Sequence, residues 1–119
     1  MAIVTDLEAL NREVTEIMLR HYGNRLAKII LFGSYARGDF HDGSDVDYVV
    51  ALNEDVVSSV KELKTYSADF YDLFLDKSIL VSAFTMPEKV LKNSSKAIYR
   101  NIKRDGKIVY ERPITRLHR

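Results

Sequence analysis

Two acids lying two residues apart, Asp45 and Asp47, follow a Gly33-Ser34 bend after ten intervening residues. The chemistry open to such a set is the handling of phosphates with a divalent cation. Gly33 removes Cβ where backbone must approach a ligand, and Ser34 offers a hydroxyl and a backbone N–H toward phosphate oxygens. Asp45 and Asp47 head the run Val46-Asp47-Tyr48-Val49-Val50, so if that run is a strand both carboxylates project from one face. Two such carboxylates repel each other unless a cation or strong donors neutralise them. Mg²⁺ suits the role, because it takes hard oxygen ligands and completes its octahedron with water and phosphates. An exposed strand start bearing ordinary loop acids is the other reading of the pair.

Around this core stand residues with a choice of roles. Arg37, three residues after Ser34, can reach a phosphate held at the turn, or it can pair with Asp39, Asp42 or Asp45. His41 reads as a loop residue able to touch a substrate, and His21 as part of a helix face. The seven tyrosines read as packing groups, with Tyr35 singled out because it lies inside the turn.

The elements that must position these groups follow from periodicity and caps. Thr5-Asp6-Leu7-Glu8 is a capping-box pattern, and Leu7, Leu10, Val14, Ile17 and His21 recur at helical steps, so a first helix is predicted over Asp6 to Tyr22, stopped at Gly23. Lys28 to Phe32 is a short apolar run that suits a buried strand. The next segment, to Ser44, is a turn and loop with room for one helical turn at Tyr35-Ala36. A second strand is predicted from Asp45 to Leu52, a helix from Asp55 to Leu75, and a third strand from Ile79 to Thr85. Thr85-Met86-Pro87-Glu88 is a second capping-box pattern opening a helical stretch to Arg104, with a break near Asn93-Ser94-Ser95. Asp105-Gly106 then turns the chain into a last strand, Lys107 to Tyr110. Helix, strand, strand, helix, strand, helix, strand describes a small α/β or α+β domain.

Length and composition set the outer bounds. With 119 residues, 46% hydrophobic and 29% charged, the chain is sized for one domain with a real core, and neither disorder nor a membrane class is favoured. We expect a single domain over 1–111 and a basic tail over 112–119. The absence of cysteine removes a disulfide framework, thiolate catalysis and cysteine zinc sites. The N-terminus lacks the pattern of a secretory signal, and a cytoplasmic location is the expectation. Charge is uneven: residues 1–86 carry 8 Lys and Arg against 14 Asp and Glu, while residues 87–119 carry 10 against 3. A basic C-terminal third beside an acidic remainder suits a surface that meets a protein or RNA, or a solvated helix and tail.

The wording Phe32-Gly33-Ser34-Tyr35-Ala36-Arg37-Gly38, followed by Ser44-Asp45-Val46-Asp47, resembles the DNA polymerase β-like nucleotidyltransferase superfamily, and more closely the minimal nucleotidyltransferase domains of prokaryotes. The close, Tyr99 to Tyr110, is similar to the way many such domains end. The resemblance implies a small mixed β-sheet flanked by helices, and transfer of a nucleoside monophosphate from an NTP, usually ATP, to a hydroxyl with Mg²⁺. By the same resemblance Gly33, Ser34 and Arg37 hold the nucleotide, and Asp45 and Asp47 are the catalytic and metal-binding carboxylates. Many of these domains are encoded beside a HEPN-domain toxin and act as its antitoxin, by adenylylating a partner tyrosine or by binding. A homodimer or hetero-oligomer is therefore expected, as is a second reading in which the protein binds its partner with little catalysis. A third, nucleic-acid-binding reading has no groove-reading or base-stacking motif behind it.

One departure stands out. The family commonly draws a third carboxylate from the next strand, yet Ile79 to Thr85 contains no acid, and Ser82 or Ala83 takes its middle. Asp76 is the remaining candidate, should that strand begin early; otherwise there is none. Asp69, Asp72 and Asp76 also fit a solvated helix face.

Overall fold

The computed structural model describes residues 4–113. Its helices are α1 (Leu7–Tyr22), α2 (Ser34–Arg37), α3 (Ser59–Lys77), α4 (Glu88–Asn93) and α5 (Ala97–Asp105), and its strands are β1 (Leu26–Phe32), β2 (Val46–Leu52), β3 (Val81–Pro87) and β4 (Lys107–Glu111). The four strands form one mixed sheet in the order β3-β2-β1-β4. β1 runs antiparallel to both β2 and β4, whereas β2 and β3 are parallel and are joined by the crossover helix α3. The expected tail over 112–119 lies outside the described residues from position 114 onward. Among the described residues no helix is long and apolar enough to cross a membrane.

Helices cover both faces of the sheet, which is why β2 reads as a nearly continuous apolar run. Val46, Tyr48, Val50 and Leu52 pack with α1 and α3 against Val14, Met18, Tyr66 and Phe70. Val49 and Ala51 point the other way, with Ile30, toward Leu91 of α4 and Ile102 of α5. Each large aliphatic side chain so buried contributes roughly 1.5–3 kcal/mol. Asp47 belongs to this second face by alternation, at the end of β2 that α4 and α5 leave open.

Buried polar groups fix α1 and α3 to the sheet. Tyr48 in β2 donates to Asn11 Oδ1 at 2.6 Å, and Tyr22 donates to the buried Glu62 at 2.9 Å. Leu80 C=O accepts from Val46 N–H, so strand alternation turns the Ala83 carbonyl away from β2; there Tyr66 of α3 donates to it at 3.2 Å. α3 thus shields an edge strand that carries no charged residue of its own.

The first helix is capped by Asp6, whose side chain accepts from Ala9 N–H at 3.0 Å, and not by Thr5 as the capping-box pattern suggested. α3 starts four residues later than predicted because the Ser58 side chain, accepting from Lys61 N–H, supplies the cap and leaves Asp55 to Val57 as loop. The second capping box does not form. Thr85 stays in β3, and α4 begins after Pro87 with no side-chain cap. The predicted break at residues 93–95 is present, and it divides the stretch into α4 and α5.

Candidate active site

The Gly33-Ser34 turn and the two carboxylates meet at one end of the sheet because β1 and β2 are antiparallel: the last residue of β1, Phe32, pairs with Asp47. Gly33 has φ +77°, a left-handed value that glycine adopts without strain. A Cβ at that position would also strike the Asp47 carboxylate. Two independent reasons therefore require glycine here. The single turn α2 follows, with Ala36 and Arg37 N–H donating to Gly33 C=O at 3.1 Å and Gly38 N–H to Ser34 C=O at 2.8 Å, and it closes at Gly38. The Ser34 and Tyr35 N–H groups, which precede those bonds, have no partner within the turn, as a phosphate cradle requires.

Tyr35 is not part of the open surface. It is buried, stacks on Phe40 at 4.2 Å and accepts from Val4 N–H, which makes it a packing group that fixes the back of the turn. The loop to β2 is tied to itself: His41 N–H donates to Ser44 Oγ, and Ser44 N–H to His41 C=O, both at 3.0 Å. This closed loop delivers Asp45 to the mouth of β2.

Asp45 is exposed and Asp47 half-buried. Burial holds the Asp47 carboxyl above the usual aspartate range, the charge of Asp45 raises it further, and Arg37 opposes both. Arg37 itself pairs with Asp39 at 3.2 Å, one of the three acids the sequence offered, on an exposed surface close enough to influence both Asp47 and Asp105. What remains at the site is a pair of carboxylates whose mutual repulsion no direct ion pair among the described residues relieves. That donor set fits a divalent, oxygen-seeking cation, and Mg²⁺ in particular, which commonly uses one or two carboxylates and leaves its other positions to water and phosphate.

The third position is occupied by serine. β2 and β3 pair with Asp47 abreast of Ser82, whose hydroxyl donates to Asp45 Oδ2 at 3.4 Å. Asp76 does not substitute for a missing acid. β3 begins at Val81, later than predicted, and Asp76 sits in the last turns of α3, lining a groove with Glu13, Arg20, Asp69 and Asp72. In that groove His21 and Arg20 both bond Asp69, at 2.6 and 3.1 Å, consistent with a structural role for His21. Among the described residues no three His, Cys, Asp or Glu side chains gather as a metal site.

Sequence reasoning passed over Phe32 and Phe84. Their rings meet edge to face, with centroids 5.5 Å apart at 66°, beside Asp47 and Ser82. Alternation from Ser82 gave the only signal for Phe84, and nothing local linked it to Phe32, fifty-two positions away.

The nucleotidyltransferase domain family model matches residues 11–109, which spans every element of the site. Two proteins of Methanocaldococcus jannaschii, each named a putative protein adenylyltransferase, are similar: one is 31% identical over 83% of this chain and 93% of its own length, the other 32% identical over 79% and 88%. Among solved structures, a toxin-antitoxin crystallised with AMP-PNP superposes with a TM-score of 0.62 at 20% identity, over 86% of this chain and 73% of that one. A structure titled a putative nucleotidyltransferase from Sulfolobus solfataricus gives a TM-score of 0.60 at 20% identity, over 89% and 80%. At those identities the likeness to solved structures shows the fold, a small mixed sheet flanked by helices. The chain belongs to the nucleotidyltransferase domain family.

Proposed function

We propose that this member of the nucleotidyltransferase family transfers AMP from ATP to a tyrosine hydroxyl on a HEPN-type toxin partner, and so serves as the antitoxin of the pair. The observation that carries this reading is the contact of Gly33 with Asp47: the turn suited to phosphates and the carboxylate suited to a cation are built against each other. The names of the adenylyltransferase relatives and of the toxin-antitoxin neighbour support the partner and the nucleotide.

In this reading Gly33 lets the triphosphate approach the backbone, and the Ser34 hydroxyl and the Ser34 and Tyr35 N–H groups at the head of α2 donate to its oxygens. Arg37 adds charge-assisted hydrogen bonds to the same phosphates, exchanging Asp39 for a stronger anion. Asp45 and Asp47 would hold Mg²⁺, which when bound offsets the negative charge that develops on the phosphates. Burial of Asp47 keeps its carboxylate fixed, since an acid packed beneath Gly33 has little freedom to turn away. The chain presents no second substrate domain within its described residues, so the acceptor must be brought by another molecule.

The test is incubation with α-labelled ATP, Mg²⁺ and the product of the neighbouring gene, repeated with Asp45→Asn and Asp47→Asn. Label should appear on the partner with the parent protein and vanish with both variants. Stable partner binding with no label in any sample would instead favour the second reading, an antitoxin that acts by binding. That reading draws on Ser82, which stands where a proton-accepting carboxylate would speed transfer.

A further inference from the structure

We propose that Phe84, held edge-on by Phe32, seats the ring of the acceptor. This deepens the nucleotidyl-transfer reading above and rests on it. Three neighbouring strands set the direction of attack: β1 ends in the Gly33-Ser34 turn, β2 carries Asp47, and β3 carries Ser82 and Phe84. Displacement at phosphorus places the leaving and attacking oxygens roughly in line. With the leaving phosphates on the turn after β1 and the attacked phosphorus beside the β2 carboxylates, the attacking oxygen enters over β3, about 4.8 Å farther across the sheet. Ser82 and Phe84 face it there.

Two properties of that place select a phenol. Phe84 is 51% exposed although it lies in the middle of a strand, and its ring is braced against Phe32, whereas Ile30, Val49 and Ala51 on the same face are buried with Leu91 and Ile102. A rigid aromatic with an open side offers a flat apolar group a stacking surface. Ser82 beside it is neutral, and β3 holds no carboxylate to take a proton from the acceptor. A phenol, with a pKa of about 10, needs far less help to lose its proton than an aliphatic hydroxyl. In the step that follows, the phenolic oxygen bonds to the α-phosphorus and the bond from that phosphorus to the bridging oxygen breaks. The electron pair leaves with pyrophosphate, and the phenolic proton passes to solvent water.

The test uses the full chain with Mg²⁺, a non-hydrolysable ATP analogue and N-acetyl-tyrosinamide as the probe, followed by amide and aromatic resonances in solution. Saturable shifts are expected at Ser82 to Phe84 and at the Phe32 ring, with N-acetyl-threoninamide giving much smaller ones. Phe84→Ala should weaken the phenol by about tenfold while the nucleotide-induced shifts at Gly33 to Arg37 persist, and Phe84→Trp should restore it. Phenol binding unchanged in Phe84→Ala, shifts at another surface, or a loss of nucleotide affinity in its place would each overturn the proposal. Absence of nucleotide shifts at Gly33 to Arg37 in the parent protein would instead remove the transfer reading beneath it.

Discussion

Gly33 and Asp47 share one volume: the place a side chain at position 33 would occupy is filled by the Asp47 carboxylate. The two residues are fourteen positions apart, brought together by the antiparallel pairing of Phe32 with Asp47. The backbone of Gly33, φ +77° with ψ −155°, lies in a region that essentially only glycine enters, at a cost of about 1–3 kcal/mol for another residue, more than the αL position of Gly38 demands. Here the substituent must also displace a half-buried acid. Gly33→Ala is therefore expected to lower stability by about 2–4 kcal/mol and to abolish Mg²⁺-ATP binding together. Gly38→Ala, where a Cβ meets nothing, should show only the smaller backbone penalty. Chemical denaturation paired with calorimetric titration of the nucleotide separates the two, and equal losses for both variants would refute the shared-volume account.

Asp47 makes stability depend on pH. Its carboxyl is raised above the ordinary value of 3.8 by burial first and by Asp45 second. The native state therefore holds this proton more tightly than the unfolded chain, so stability falls as pH rises from about 3.8 through the native value. Asp47→Asn should remove that component and, without divalent cation, melt higher than the parent at pH 7. Adding Mg²⁺ should raise the melting temperature of the parent and leave the variant unmoved. Thermal melts across pH 4–7, with and without Mg²⁺, check both signs.

Ser82→Asp places a third carboxylate abreast of Asp47. We expect tighter Mg²⁺ binding, lower stability in metal-free buffer, and label transfer faster by about 100-fold, the low side of what a positioned proton acceptor supplies. Rates with the partner protein, measured beside metal titration, provide the check. A variant that binds Mg²⁺ more tightly yet transfers no faster would mean that the acceptor oxygen does not pass over position 82.

Away from the site, Tyr22 and Glu62 form the buried hydrogen bond that clamps α1 to α3. Burial chiefly, and the bond to Glu62 after it, push the Tyr22 hydroxyl well above its ordinary range, so it remains a donor at all working pH. Tyr22→Phe leaves the Glu62 carboxyl buried without that donor and should cost about 1–3 kcal/mol. The double variant Tyr22→Phe, Glu62→Leu should recover much of that loss. Urea denaturation of the three proteins tests the coupling, and additive losses would argue against it.

Local order was legible because it is written in local residues. Apolar steps of three and four from Leu7 to Met18 gave α1, the unbroken run from Lys28 to Phe32 gave β1, and the Asn93-Ser94-Ser95 break gave the division of α4 from α5. Cap identity was less so, since Thr5 and Asp6 are both competent and backbone geometry chose Asp6. Thr85 had the right neighbours for a cap, but pairing with Val50 in the sheet outcompeted it.

The spacing of Gly33, Ser34, Asp45 and Asp47 by itself pointed to the nucleotidyltransferase family, because a glycine-serine turn and closely spaced carboxylates are properties of short segments. Only the tertiary structure decided what stands around them. The parallel register of β3 on β2 is set by packing on both sheet faces, and a slip of one residue would have turned Ser82 and Phe84 to the other side. That register aligned a serine with Asp47 and brought Phe84 to Phe32, relations no local pattern encodes.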